Sequence, residues 1–412
     1  MKKQRNILMC LQQMDIGGVE TAVLTMCKGY VRAGCNVFVA AKRGVYVDQL
    51  EKIGVKFYEI EYEFLNSFPL ERKQELYKFC KDNKINEIYI HQYPCVLYWL
   101  PVCLEYNIPY VAYVHSIVPG APEWFMKDFP IYKSVLPIFF ANASKVICIA
   151  PNTKEEIESL FDVPKDRYMI IPNSLNLSDF DCKKSSGNIK TFGMAARFSE
   201  EKIVSLKKGI DLFLKYLESN PGCELLIAGD GEKRQEIEEY SKNMNIKFLG
   251  SVSDMKSFYE KIDVFMGVDR CILESIACKR LSIICGYNGS ANLLDSNNII
   301  DASKFNFSGK NLFDDDEIID KLSSLKQNDY DTIVNNNYKF IDKNYSIDNN
   351  LYNEEFNSNF STEYSRLFVA LNEKYSYIPE CDFKSIPFYK KTLTYRFLRK
   401  IKKIVFRIFR RK

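Results

Sequence analysis

The residues best suited to chemistry lie between Thr191 and Gly289, in the stretches TFGMAARFSEEKIVSLKKGIDLF, CELLIAGDGEKRQEI and KIDVFMGVDRCILESIACKRLSIICGYNG. Each is an apolar run that ends in Gly or a charged residue and then takes up helical spacing. Together they supply cations at Arg197, Lys208 and Arg270 and a carboxylate at Glu274, with Lys202 as an alternative to Lys208. Fixed cations suit an anionic, phosphate-bearing ligand whose developing charge they can neutralise. A carboxylate, with several lone pairs and no proton to give, suits hydroxyl groups. In an open parallel sheet, ligands bind beyond the carboxyl ends of the strands, where helix N-termini offer free N–H groups. These loops are where a site is expected.

The elements that must position them follow a strand and helix alternation. Asn6 to Leu11 reads as a buried strand, and Gly17 and Gly18 form a turn into a helix with apolar residues at Val19, Ala22, Val23, Met26, Cys27 and Tyr30. The glycines sit where the chain turns sharply and where a ligand can approach the backbone. CNVFVAAK, VKFYEI, INEIYIHQY and PYVAYV read as further strands, with His91 and His115 closing the last two. This alternation predicts an α/β fold with parallel, doubly wound sheets. RYMIIPNSLNLSDF gives a short strand and a turn at Pro172 and Asn173, and DCKKSSGNIK, polar and low in apolar residues, reads as a linker. Gly229 and Gly231 read as a structural turn, and Gly250 and Ser251 as a second turn.

At 412 residues the chain is too long for one ordinary core, and two domains of roughly 150–200 residues are expected. Its 13 Cys include no CxxC pair and there are 2 His, which leaves little for a zinc site or a disulfide framework and points to reduced thiols. No apolar run reaches the ~18–20 residues needed to span a bilayer, and the opening KKQRNILMCLQQ lacks a signal-peptide core. Residues 390–412 carry 11 Lys and Arg and no carboxylate, so the remainder of a chain with 57 basic and 53 acidic residues is net acidic. In that tail Phe397, Leu398, Ile401, Ile404, Val405 and Ile408 recur at helical spacing, which predicts a basic amphipathic helix for an anionic membrane surface. The acidic remainder disfavours nucleic acid.

The order of these pieces resembles the retaining glycosyltransferases of family 4, the glycosyl transferases group 1, which have the two-domain GT-B fold. The resemblance implies two Rossmann-like domains facing across a cleft: an acceptor-side domain over 1–180, a linker over 181–190, a donor nucleotide-sugar domain over 191–345, crossover helices over 346–389 and the basic tail over 390–412. It implies catalytic roles for His115, Arg197 and Lys208, with His115 near the diphosphate and transferred sugar. Arg197 follows the first strand, and Lys208 stands before a Gly, Gly209, that opens a helix. It places Gly17, Gly18, Gly250, Ser251, Arg270 and Glu274 at the donor, Glu274 on the nucleotide ribose. The family's pair of Glu separated by seven residues is incomplete, since the first position is Met266; Asp269 is the nearest carboxylate.

The expectation is therefore a metal-independent hexosyltransferase-type enzyme that needs no cofactor. It would move a sugar, with retention, from a UDP- or GDP-linked donor to a glycan or lipid-linked acceptor, in bacterial capsule or other surface polysaccharide synthesis. Its expected place is cytoplasmic, on the inner face of the membrane. The alternative is a non-catalytic GT-B accessory subunit that binds a partner glycosyltransferase or a glycan.

Overall fold

A computed structural model describes residues 4–352, apart from 116–126, 184, 186, 242–244, 313, 315 and 316, together with 371 and 372. The basic tail and most of the expected crossover helices lie outside the described residues.

Two sheets carry the chain. The first contains β1 (Asn6–Gln13), β2 (Asn36–Lys42), β3 (Lys56–Glu59), β4 (Glu87–Ile90), β5 (Tyr110–Val114), β6 (Lys145–Cys148) and β7 (Tyr168–Ile170) in the order β3-β2-β1-β4-β5-β6-β7. All of its pairings are parallel. The second contains β8 (Thr191–Ala195), β9 (Glu224–Ala228), β10 (Ile246–Gly250), β11 (Val264–Gly267), β12 (Leu281–Cys285) and β13 (Ala291–Leu293) in the order β10-β9-β8-β11-β12-β13, with only β13 antiparallel. Central strands such as β5, β11 and β12 are buried along their whole length, as a sheet covered on both faces by helices requires.

In each sheet the strand order reverses beside the first strand, between β1 and β4 and between β8 and β11. Such a switch point opens a crevice at the carboxyl ends. At the first, Gly17 precedes the helix Gly18–Arg32, which buries Ala22, Val23, Met26, Cys27 and Tyr30 on its inward side. At the second, the helix Ile203–Ser219 follows β8 and the helix Arg270–Ala277 follows β11.

The expected helix start at Lys208-Gly209 is corrected. The helix begins at Ile203, because Leu206, Ile210 and Phe213 extend one buried stripe through that region. Gly209 lies inside it, where a Cβ would collide with Met194 of β8, so this glycine serves close packing of helix on sheet. The cysteines bring a second correction: Cys182 of the linker and Cys278 after the Arg270–Ala277 helix form a disulfide, Cα–Cα 5.0 Å.

One helix and one return crossing carry contacts that tie the two halves together. Along Gly18–Arg32, Thr25 accepts from Arg270 at 3.1 Å, Lys28 pairs with Asp179 at 2.6 Å, and Arg32 donates to Asn176 and pairs with Asp348. After the helix Gln327–Tyr345 the chain returns to the first half, where Ile347 and Tyr352 enter its core and Leu351 packs against it. Arg5 and Tyr30 both donate to the Tyr352 carbonyl.

Candidate functional site

The carboxyl ends of the two sheets face each other where Arg270 crosses between the halves. The residue is 7% exposed and its guanidinium spends its donors in three directions: Nε to Glu274 Oε1 at 3.0 Å, Nη1 to the Ser174 carbonyl at 3.0 Å and Nη2 to Thr25 Oγ1 at 3.1 Å. Glu274 also accepts from Tyr259 Oη at 3.2 Å. Burial raises the pKa of Glu274, and Arg270 and Tyr259 oppose the rise. In this structure both Glu274 oxygens are therefore engaged inside the protein. The spacing of Arg270 and Glu274, four residues apart on a helix, is the sequence signal that identifies such a pair.

Lys202 and Lys208 are separated by what they reach. Lys202 caps the helix Ile203–Ser219, and its Nζ lies 2.9 Å from Asp269 Oδ2 and over the Tyr287 ring. Tyr287 Oη donates to the same carboxylate oxygen at 2.5 Å. Burial works against the charge of Lys202, but Asp269 and Tyr287 outweigh it and raise the pKa. Lys208 sits in the second turn of the helix and pairs with Asp314 at 2.5 Å. Lys202, not Lys208, is thus linked through Asp269 to the start of the Arg270–Ala277 helix.

Asp269 has φ 57° and ψ −137°, a backbone conformation costly for a residue with a side chain and frequent where function over-determines the geometry. Met266 is fully buried inside β11, and only Val268 and Asp269 separate that strand from the helix. The family's first Glu therefore has no loop to occupy here.

Across the crevice, Arg197 is exposed and donates from Nη2 to the Ile16 carbonyl at 2.9 Å, beside Gly17 and Gly18. Glu20, in the first turn of the helix, is 7% exposed and folds back over Gly17 so closely that any Cβ there would strike its carboxylate. Burial raises the Glu20 pKa, against its own backbone N–H and the Arg197 charge. A side chain at Gly17 would displace the Glu20 carboxylate, and its φ of −179° is extended backbone that any residue adopts. Gly18 meets nothing within 4 Å.

His115 is brought to His91, with Nε2 of the first 2.9 Å from Nδ1 of the second. Burial lowers the His115 pKa to about 4, Asn173 opposing the shift and Arg270 adding to it. The imidazole is therefore neutral near pH 7. Gly250 and Ser251 lie at the end of the edge strand β10, where the Gly250 carbonyl accepts from Gly229 N at 2.7 Å and φ is +69°. The structure thus brings His115, Arg270 and Glu274 together, sets Arg197 beside Gly17 and Gly18 across the crevice, and pairs Lys208 with Asp314. Lys202, Asp269, Glu20 and Tyr287 join the cluster.

Two α/β sheets whose carboxyl ends face each other define a two-domain, doubly wound α/β fold. The family model Glycosyltransferase Family 4 matches residues 16–179, and the model Glycosyl transferases group 1 matches 190–325; together they take in well over half of the chain. An uncharacterized glycosyltransferase of Methanocaldococcus jannaschii is 24% identical over 276 residues, 60% of this chain and 70% of that protein. A Campylobacter jejuni α-1,4-N-acetyl-D-galactosaminyltransferase that acts on an undecaprenol-linked glycan is 31% identical over 143 residues, 32% of this chain and 39% of its own length. Among solved structures, a Rickettsia africae glycosyltransferase superposes with TM-score 0.63 at 15% identity, over 89% of this chain and 98% of that one. Anabaena HepE in complex with UDP and glucose gives 0.61 at 16%, over 90% and 98%. The chain belongs to the family 4 glycosyltransferases and has the GT-B fold.

Proposed function

We propose that this glycosyltransferase takes a sugar from a nucleotide-linked donor, UDP or GDP, and passes it with retention to a glycan or lipid-linked acceptor in bacterial surface polysaccharide synthesis. The observation that carries the reading is the Arg270–Glu274 pair on one helix, with Lys202 joined to Asp269 at the start of that helix and Arg197 reaching across to the Ile16 carbonyl. A departing diphosphate gains negative charge, and cations already fixed in place stabilise it without reorganisation. On this reading no metal or other cofactor is needed. Glu274 would exchange Arg270 or Tyr259 for ribose hydroxyls, and the freed guanidinium would turn to the diphosphate.

The undecaprenol-linked acceptor of the Campylobacter relative and the UDP of the Anabaena complex support the choice of donor and acceptor. The basic tail 390–412 would hold the enzyme on an anionic inner membrane face; no helix among the described residues is long and apolar enough to cross a membrane. Calorimetric titration with UDP, GDP and their sugar conjugates tests the reading. Saturable binding that is lost in Glu274→Gln is expected, and no binding to any of them overturns it.

One observation favours a second reading, a non-catalytic subunit: the carboxylate missing at Met266 has no loop in which to sit. Nucleotide binding without transfer to any lipid-linked or glycan acceptor would favour that subunit.

A further inference from the structure

The two oxygens of Glu274 are held in different ways. Oε1 accepts from Arg270 Nε at 3.0 Å, and Oε2 lies 3.2 Å from the Tyr259 hydroxyl. That hydroxyl also lies 3.1 Å from the Cys271 carbonyl, in the first turn of the helix that carries both Arg270 and Glu274. A phenol has one proton to give, and here two acceptors compete for it. Both distances exceed the about 2.7–2.8 Å of an ordinary O–H···O bond, as a shared proton leads one to expect. The Cys271 oxygen has two lone pairs, so it can take the hydroxyl in addition to its own helical bond.

The two neighbours of Glu274 therefore differ in what is lost when a ligand takes their place. A guanidinium is a rigid plane, so turning Arg270 away from Glu274 also strains its bonds to the Ser174 carbonyl and Thr25 Oγ1. Tyr259 has a second acceptor already in reach. Its release needs only rotation of the hydroxyl, because the rest of the residue is fixed. Tyr259 is fully buried, its ring packs on Phe258 and Phe265, and its carbonyl accepts from Arg280 Nε at 2.7 Å. Arg280, 1% exposed, is itself held by donating from Nη2 to the Lys183 carbonyl of the linker at 2.7 Å.

We propose that Tyr259 is a positioning residue that holds Glu274 Oε2 until a ligand hydroxyl arrives and then yields it by turning its O–H to the Cys271 carbonyl, while Arg270 keeps Oε1. That the arriving hydroxyl is one of the ribose rests on the nucleotide-sugar reading; the sharing of the Tyr259 proton does not. Of the two exchanges open to Glu274, this assigns the one at Tyr259.

The test is calorimetric titration of the full chain, wild type and Tyr259→Phe, with UDP, GDP and their 2′-deoxy and 3′-deoxy forms. In Tyr259→Phe no tyrosine hydroxyl covers Oε2, and a ribose hydroxyl relieves the bare oxygen. The nucleotide that binds the wild type should therefore bind the variant tighter, by about 10-fold or more, the worth of a hydrogen bond to a charged group. The deoxy form without that hydroxyl should bind both proteins alike, so the preference for the ribonucleotide should rise by the same factor. Weaker ribonucleotide binding in the variant overturns the exchange at Tyr259 and is the result that displacement of Arg270 would give. An unchanged preference overturns it too, as the sign of a tyrosine that serves packing alone.

A second measurement needs no ligand. Tyr259→Phe should lower the denaturant midpoint more in the wild type than in the double variant Arg270→Met with Glu274→Leu, since only the wild type then keeps a bare carboxylate oxygen. Equal losses overturn the shared proton. Absence of binding to every nucleotide defeats the donor reading instead, and this comparison still decides whether Tyr259 holds Glu274.

Discussion

On the carboxyl-end face of the second sheet, Lys202, Lys208 and Arg270 each lie within 3.0 Å of a carboxylate, from Asp269, Asp314 and Glu274 respectively. On the facing side, the corresponding strand ends carry His91 and His115, neutral and bonded to each other, and the carboxylate of Glu20 lies folded over a glycine turn. The first arrangement holds charge in pairs that an ionic ligand can reopen. The second holds a neutral histidine pair and a buried carboxylate whose pKa burial raises. A transferase that must stabilise a leaving anion on one side and orient hydroxyls on the other has use for both.

The largest break in this contrast is expected from the buried ion pair. Arg270→Ala leaves Glu274 buried without its cation, and removal of one partner from such a pair costs about 3–5 kcal/mol. Denaturant unfolding should report that loss. The double variant Arg270→Met with Glu274→Leu should recover much of the stability while still failing to bind nucleotide.

Next comes the neutral side. With His115 at about 4 in the fold and an ordinary value of 6.5, the unfolded chain binds more protons between these limits, so stability rises with pH across that window and is lost as pH falls through it. The difference in unfolding free energy between wild type and His115→Gln should change by about 3 kcal/mol from pH 7 to pH 4. A flat difference would show the ring to be solvated and chargeable.

A smaller effect sharpens the choice between the two lysines. Lys202→Ala should weaken nucleotide binding by about 1.5–3 kcal/mol, the worth of a hydrogen bond to a charged group. Lys208→Ala, whose partner Asp314 is 46% exposed, should cost under about 1 kcal/mol in stability and little in binding. Calorimetry on the two variants decides, and the reverse order would restore Lys208 to the site.

What the sequence discloses here follows sequence range. The strands of both sheets are legible because each is a short apolar run, and the turn at Gly17 and Gly18 because glycine pairs mark turns. The cluster at Arg197, Arg270 and Glu274 is legible because its members follow strand ends. The helix start at Ile203 is less so: Lys208-Gly209 mimics an opening signal, and only the buried stripe through Leu206, Ile210 and Phe213 outweighs it. Lys202, Asp269 and Tyr287 meet across 67 and 18 residues, and Met9 lies 82 residues from His91. No local pattern encodes such meetings; they are products of strand order. The Cys182–Cys278 disulfide, 96 residues apart, is hidden for the same reason.

The return crossing has a consequence for synthesis. Arg5 and Tyr30, near the start of the chain, both close on the Tyr352 carbonyl, and Gly29 admits Ile347 and Leu351 where a Cβ would crowd them. At ribosomal rates of roughly 5–20 residues per second, about 20–70 s separate Arg5 from the residue that completes its surroundings. Through that interval the first half waits with an apolar seam uncovered, while the second half emerges and folds. A segment made 347 residues later seals the first.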